Sequence, residues 1–169
     1  MPVPAPGTYP PYFERYVSLV QADSVTGAIQ QHSADILQFF NSIPGEKIEY
    51  RYAEGKWSIK EMLQHIIDTE RIFGYRALRI ARHDQTPLPG FDEVSYAANS
   101  NAEVRTWESL LEEFAALRRS TDLLLANFTA DQLQQSGTTN EHRNTANAIS
   151  FMIFGHILHH INVIKERYF

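Results

Sequence analysis

The stretch Phe151-Met-Ile-Phe-Gly-His-Ile-Leu-His-His-Ile-Asn-Val-Ile164 is strongly apolar, yet it carries histidines at 156, 159 and 160. At roughly 100° per residue, Ile149, Met152, Ile153, His156, His160, Val163 and Ile164 share one side of a helix. The pattern predicts a core helix that points two imidazoles inward, one turn apart. A buried polar ring must find partners, and two rings at this spacing suit a metal ion better than a purely apolar surround. A lone histidine on an apolar face is more often a hydrogen-bonded core residue, so a third ligand from another element decides the matter.

The best-placed third histidine is His65, in Trp57-Ser-Ile-Lys-Glu-Met-Leu-Gln-His65-Ile-Ile-Asp-Thr-Glu70-Arg-Ile-Phe73. There Ile59, Met62, Leu63, Ile66, Phe73, Ala77 and Ile80 make the core stripe and His65 lies at its edge, within reach of a neighbouring helix. His83 and His142 sit in polar surroundings rich in Gly, Pro or Asn, and His32 sits on a mostly polar stretch. His159 points about 80° away from the 156/160 side. These four are read as surface or supporting residues.

Composition narrows the chemistry. With 169 residues, 43% of them hydrophobic, the chain can bury one core. A net charge of −5 without a basic run argues against nucleic acid and anionic membrane as partners. The absence of cysteine excludes disulfides, thiolate metal ligands and a nucleophilic thiol, so any metal is held by nitrogen and oxygen. The N-terminus lacks the pattern of a secretion signal, and Gly155 and the histidines interrupt the apolar stretch near its centre; a cytoplasmic protein is expected.

Residues 1–22, with prolines at 2, 4, 6, 10 and 11, are expected to form an extended arm, and 23–169 a single helical domain. A first long helix is expected from the Asp23-Ser24 cap to the Pro44-Gly45 stop, followed by a short extended stretch at Ile48–Tyr52. Ser58 and Glu61 form a capping-box pattern that opens a second helix running to about Arg82. Residues 83–101 read as a crossover, 102–127 as a third helix with Val104, Trp107, Leu110, Leu111, Phe114, Leu117, Leu124 and Leu125 as its stripe, and 137–144 as a polar loop. Asn144 or Thr145 caps the fourth helix. Four amphipathic helices with their one long connection between the second and third describe an all-α four-helix bundle of up-down-down-up course, whose facing helices can bring His65 to His156 and His160.

Familiar metal motifs do not fit. His156-x-x-x-His160 has zincin spacing, but Ile157 stands where a metalloprotease has its glutamate. The ferritin-like di-iron bundle requires Glu-x-x-His, which this sequence lacks. His83-Asp84 is an isolated dyad without a later partner aspartate.

The chain resembles the DinB/YfiT-like family of the DinB superfamily. The resemblance rests on Gly55-Lys-Trp-Ser-Ile-Lys-Glu61, on His65-Ile-Ile-Asp-Thr-Glu-Arg71 with Tyr75-Arg76, on Thr86-Pro-Leu-Pro-Gly-Phe91, and on Gly155-His156 through His160 to Glu166-Arg-Tyr168. It implies an up-down-down-up bundle, often a homodimer, with a divalent metal held by His65, His156 and His160. It also implies either hydrolysis by an activated water or transfer of a low-molecular-weight thiol, with a small-molecule substrate. Zinc or nickel is the expected ion, with iron and manganese compatible with the same donors. Glu70, on the inward stripe, is a candidate catalytic group or an arginine partner. Trp57, Tyr75, Arg76 and Tyr96 are candidate pocket residues. The alternative is a non-catalytic metal- or ligand-binding helical module.

Overall fold

Side-chain caps set the frame of the computed structural model, which describes residues 2–169. Among the described residues its helices are α1 (Glu14–Val17), α2 (Val25–Asn41), α3 (Ile59–Ala81), α4 (Glu93–Ala98), α5 (Trp107–Ala126), α6 (Ala130–Gln134) and α7 (Ala146–Arg167). Strands β1 (Ser136–Thr139) and β2 (His142–Thr145) form an antiparallel hairpin. Ser24 accepts from the Gly27 N–H at the start of α2, and Thr106 and Thr145 do the same for α5 and α7. The capping box opening α3 is complete: Ser58 Oγ accepts from Glu61 N at 3.2 Å and Glu61 Oε2 accepts from Ser58 N at 2.6 Å.

Pairwise contacts fix the helix directions. His32 meets Phe154 and Lys165 stands over Phe39, so α2 and α7 run parallel. Arg105 bonds Gln64, Arg118 bonds Glu70, and α3 and α5 therefore also run parallel. Phe73 faces His156 while the Tyr168 hydroxyl donates to the Trp57 carbonyl, which makes α7 antiparallel to α3. The result is an up-down-down-up four-helix bundle, with residues 82–106 crossing its length between α3 and α5.

Its core joins Ile59, Leu63, Ile66 and Ile67 of α3, Leu110 and Phe114 of α5, and Phe40 of α2 to Phe151, Phe154 and Ile157 of α7. One apolar face is too narrow a description of α7, because every residue from Ala146 to Ile157 is buried. Small residues on its remaining sides, Ala146, Ala148, Ser150 and Gly155, let other segments pack close. By length and composition this helix could cross a membrane, but 72% of its apolar window is buried inside the bundle.

Several expectations need correction. The arm at 1–22 is not extended throughout: Pro11–Phe13 is a 3₁₀ turn that runs into α1, and Tyr9, Tyr16, Val17 and Val20 are buried. Pro11 supplies a preset φ at the first position of that turn. The docking of α1 depends on Gly155, where a Cβ would lie 3.0 Å from the Tyr16 Cα and closer still to its carbonyl. The third long helix begins at Trp107 rather than 102, because Thr106 caps it. Val104, 80% exposed, ends a separate 3₁₀ turn and leaves the stripe. Ile48–Tyr52 forms no strand and follows a 3₁₀ turn at Gly45–Lys47. The crossover contains α4, and the polar loop is the β1–β2 hairpin, turned by Asn140 and Glu141 at φ 48° and 65°. Leu88 hydrogen-bonds this hairpin through Thr138 O and Asn140 N, so the crossover is pinned beside the bundle.

Candidate metal centre

Helical spacing brings His65, Thr69, Phe73 and Arg76 of α3 to one side, against His156 and His160 of α7. His65 Nε2 lies 3.1 Å from His156 Nε2, and His160 Nε2 lies 3.0 Å from that same atom. One nitrogen from each ring lies within 4.8 Å of the other two. His65 and His156 are buried and His160 is partly buried. The three histidines singled out in the sequence thus converge, and the Trp57 ring packs on His65 with centroids 4.9 Å apart.

Hydrogen bonding alone does not satisfy this cluster. His156 Nε2 carries either one hydrogen or one lone pair, so it can serve only one of the two nitrogens beside it. His160 Nδ1 is also buried without a partner among the described residues. A cation that takes one lone pair from each ring satisfies all three nitrogens. Tetrahedral ligation at about 2.0–2.1 Å places nitrogens about 3.3 Å apart, close to the spacings observed. Burial favours the required neutral state: it pushes His65 down to about 4, and it holds His156 and His160 well below the usual histidine range, with the neighbouring imidazoles adding to the effect. The donor set therefore fits a divalent ion.

Glu70 is not part of this cluster. It leaves α3 toward α5, where its Oε1 accepts from Arg118 Nη1 at 2.9 Å with both side chains sealed from solvent. Arg118 also bonds Ser33 and Asp122 and lies 4.7 Å from the Phe154 ring centre. Of the alternatives for Glu70, the arginine pair is the one the structure contains. Desolvation pushes its carboxyl up while Arg118 pulls it down.

Two openings reach the triad. A cavity of about 180 Å³ runs from His156 along Thr69, Phe73 and Arg76 to Phe91 of the crossover. Tyr12, Phe13 and Tyr16 of the arm and Thr139, Asn140 and His142 of the hairpin wall it. A more open cleft meets His159 and His160 from the other side and includes Trp57 and Val94. Of the candidate pocket residues, Arg76 and Trp57 fall in these openings. Tyr75 and Tyr96 are about half exposed and lie in neither. His159 is partly buried against Tyr16 and His160, and His142 lines the cavity, so both stand nearer the site than their sequence surroundings suggest. The aromatic wall of the arm has a signal in the sequence: Tyr9, Tyr12, Phe13 and Tyr16 follow i, i+3, i+4, i+7 spacing around a proline that suits a first helical turn.

Comparison with known proteins agrees with this geometry. A family model described as the DinB superfamily matches residues 28–164. A protein of Oceanobacillus iheyensis named a "putative metal-dependent hydrolase" is 29% identical over 111 residues; the match spans 64% of this chain and 62% of that protein's length. Among solved structures, YfiT from Bacillus subtilis superposes with a TM-score of 0.71 over 96% of this chain and 89% of that one. It is described as "a probable metal-dependent hydrolase with an unusual four-helix bundle topology". At 16% identity the likeness to YfiT is one of fold.

Proposed function

This chain belongs to the DinB superfamily, and on that premise we propose that it is a metal-dependent hydrolase whose divalent ion, zinc or nickel, is held by His65, His156 and His160. The observation that carries this reading is the convergence of three neutral Nε2 atoms whose mutual hydrogen bonding is incomplete. Bound there, the ion supplies Lewis acidity that brings a water or thiol proton within reach of neutral pH.

The protein's own residues do the rest. Burial keeps the three lone pairs unprotonated, and Trp57 restrains the ring of His65. Tyr12, Phe13, Tyr16, Phe73 and Phe91 put aromatic rings on the cavity wall, beside the polar Thr69, Arg76, Glu93, Thr139 and Asn140. With Glu70 committed to Arg118, Glu93 and His142 are the groups in the cavity lining able to take a proton. Transfer of a low-molecular-weight thiol is the second reading. What favours it is the pair of openings on either side of the triad, through which two reactants can approach one ion.

Elemental analysis of protein prepared without a polyhistidine tag, beside a variant with all three histidines changed to alanine, tests the site. About one divalent ion per chain, lost in the variant, is expected. Ester and amide panels, then thiol-plus-electrophile pairs, test the chemistry. Metal binding with no turnover on any panel would leave a binding module, and no metal after reconstitution with zinc and nickel would defeat the proposal.

A further inference from the structure

Arg76 is 6% exposed, yet it has no carboxylate partner among the described residues. Its one hydrogen bond runs from Nη2 to the Pro89 carbonyl at 2.7 Å, which leaves most of the guanidinium's donors uncommitted. The rings of Phe73 and Phe91 hold it, with centroids 5.8 and 5.9 Å from its Cζ. Burial alone pushes its pKa down without removing its charge. A buried charge without a counter-ion is costly unless something supplies one. The buried arginine of α5 shows the contrast, since Arg118 has both Glu70 and Asp122.

A second unpaired group shares the cavity. Thr69, 3% exposed, lines it with a hydroxyl that finds no hydrogen-bond partner among the described residues. Thr69 and Arg76 are two helical turns apart on α3, and His156 lines the same cavity. Glu93, the carboxylate in the lining, is exposed on α4 and makes no ion pair with Arg76. The volume of about 180 Å³ is only slightly above the ~150 Å³ that holds a benzene ring.

We propose that Arg76 is the anchor for an oxyanion on the substrate, so that the cavity takes a small molecule with an apolar, ring-sized body and a carboxylate or phosphate group directed away from the histidine triad. The claim rests on the reading of the triad as the reaction centre, and it adds the substrate class. The guanidinium pairs with the oxyanion while Pro89 O keeps it oriented, the aromatic walls cover the body, and Thr69 bonds a polar atom nearer the histidines.

The test is calorimetric titration of the zinc-loaded and metal-free protein with benzoate, phenyl phosphate and the neutral analogue benzamide. At least one anion is expected to bind tenfold or more tightly than benzamide. Arg76→Gln should abolish that preference, Arg76→Lys should keep part of it, bound metal should stay near that of the wild type, and the melting temperature of Arg76→Gln should be no lower than that of the wild type. The tighter of the two anions identifies carboxylate or phosphate as the natural group. Thr69→Val, expected to weaken anion and benzamide alike by a few-fold, serves if Arg76→Gln does not fold, together with the lysine variant. Equal binding of all three probes overturns the proposal, as does no binding, or a preference that survives Arg76→Gln or is seen only with zinc bound. An Arg76-dependent preference in a protein that takes up no metal would instead defeat the metal reading and leave the anion site standing.

Discussion

Two glycines in long helices should respond to alanine with opposite signs. At Gly74 of α3 an added Cβ meets nothing within 4 Å, so Gly74→Ala should stabilise by about 1 kcal/mol through helix propensity alone. For a chain of this size that is a rise of about 2–4 °C in melting temperature. At Gly155 of α7 the same propensity gain is opposed by the backbone of Tyr16, whose Cα would lie 3.0 Å from the new Cβ, with its carbonyl nearer. Ordinary carbon–carbon contacts need about 3.5–4.0 Å, so α1 must retreat by an appreciable fraction of an ångström or more. Overpacking of this kind costs about 1–3 kcal/mol, and any lifting of the arm also exposes Tyr9, Tyr16, Val17 and Val20. Net of the propensity gain, Gly155→Ala should therefore be destabilised by up to about 2 kcal/mol in chemical denaturation, and amide exchange over residues 12–20 should quicken. Its metal content should hold, since the histidine rings lie on α3 and α7. A Gly155→Ala protein as stable as Gly74→Ala, with the arm still protected, would refute the docking argument.

Removing one member of the buried Glu70–Arg118 pair, as in Glu70→Ala, should cost about 3 kcal/mol, the low end for a broken buried pair because Asp122 still faces Arg118, measured by urea denaturation, while metal stoichiometry is kept. Intact stability with lost activity would instead return Glu70 to catalysis. Ser58→Ala, which breaks the capping box of α3, should lose about 1 kcal/mol in the same assay. His32, whose Nε2 is buried without a partner, is held below its ordinary value of 6.5 by burial, so the folded state resists its protonation. A group lowered in the folded state contributes full stability above its unfolded pKa and loses it as pH falls. The wild type should accordingly lose stability relative to His32→Leu between about pH 7 and 5, and a constant difference across that range would contradict the burial assignment.

The bundle and the triad were legible because both rest on short-range patterns. Ser58 with Glu61 marks the start of α3 by the residue, and the four-residue interval between His156 and His160 fixes their common face once α7 is a helix. What could not be read depends on contacts between distant segments. Periodicity places Glu70 on an inward stripe, but only the parallel course of α3 and α5 brings Arg118 to it and so separates it from the histidines. The hairpin is held by strand pairing between polar residues and by Leu88 of the crossover, and neither leaves an apolar alternation to detect. The arm's prolines obscured an aromatic helical pattern whose docking needs a glycine more than a hundred residues away.

These distant contacts explain how α3 serves two buried polar centres at once. Its one side sends His65, Thr69 and Arg76 toward the cavity and α7, and its other side sends Glu70 to Arg118 on α5. The first centre collects neutral donors and an arginine without a counter-ion, groups that something from outside can complete. The second pairs its charges internally and presents nothing to a ligand. Because both sets project from one rigid helix, a rotation of α3 that improved one would break the other, so the buried ion pair also holds the angular position at which His65 meets His156. Loss of the ion pair should therefore leave the three histidines able to hold one ion per chain but less tightly, even though no atom of Glu70 or Arg118 lines the cavity.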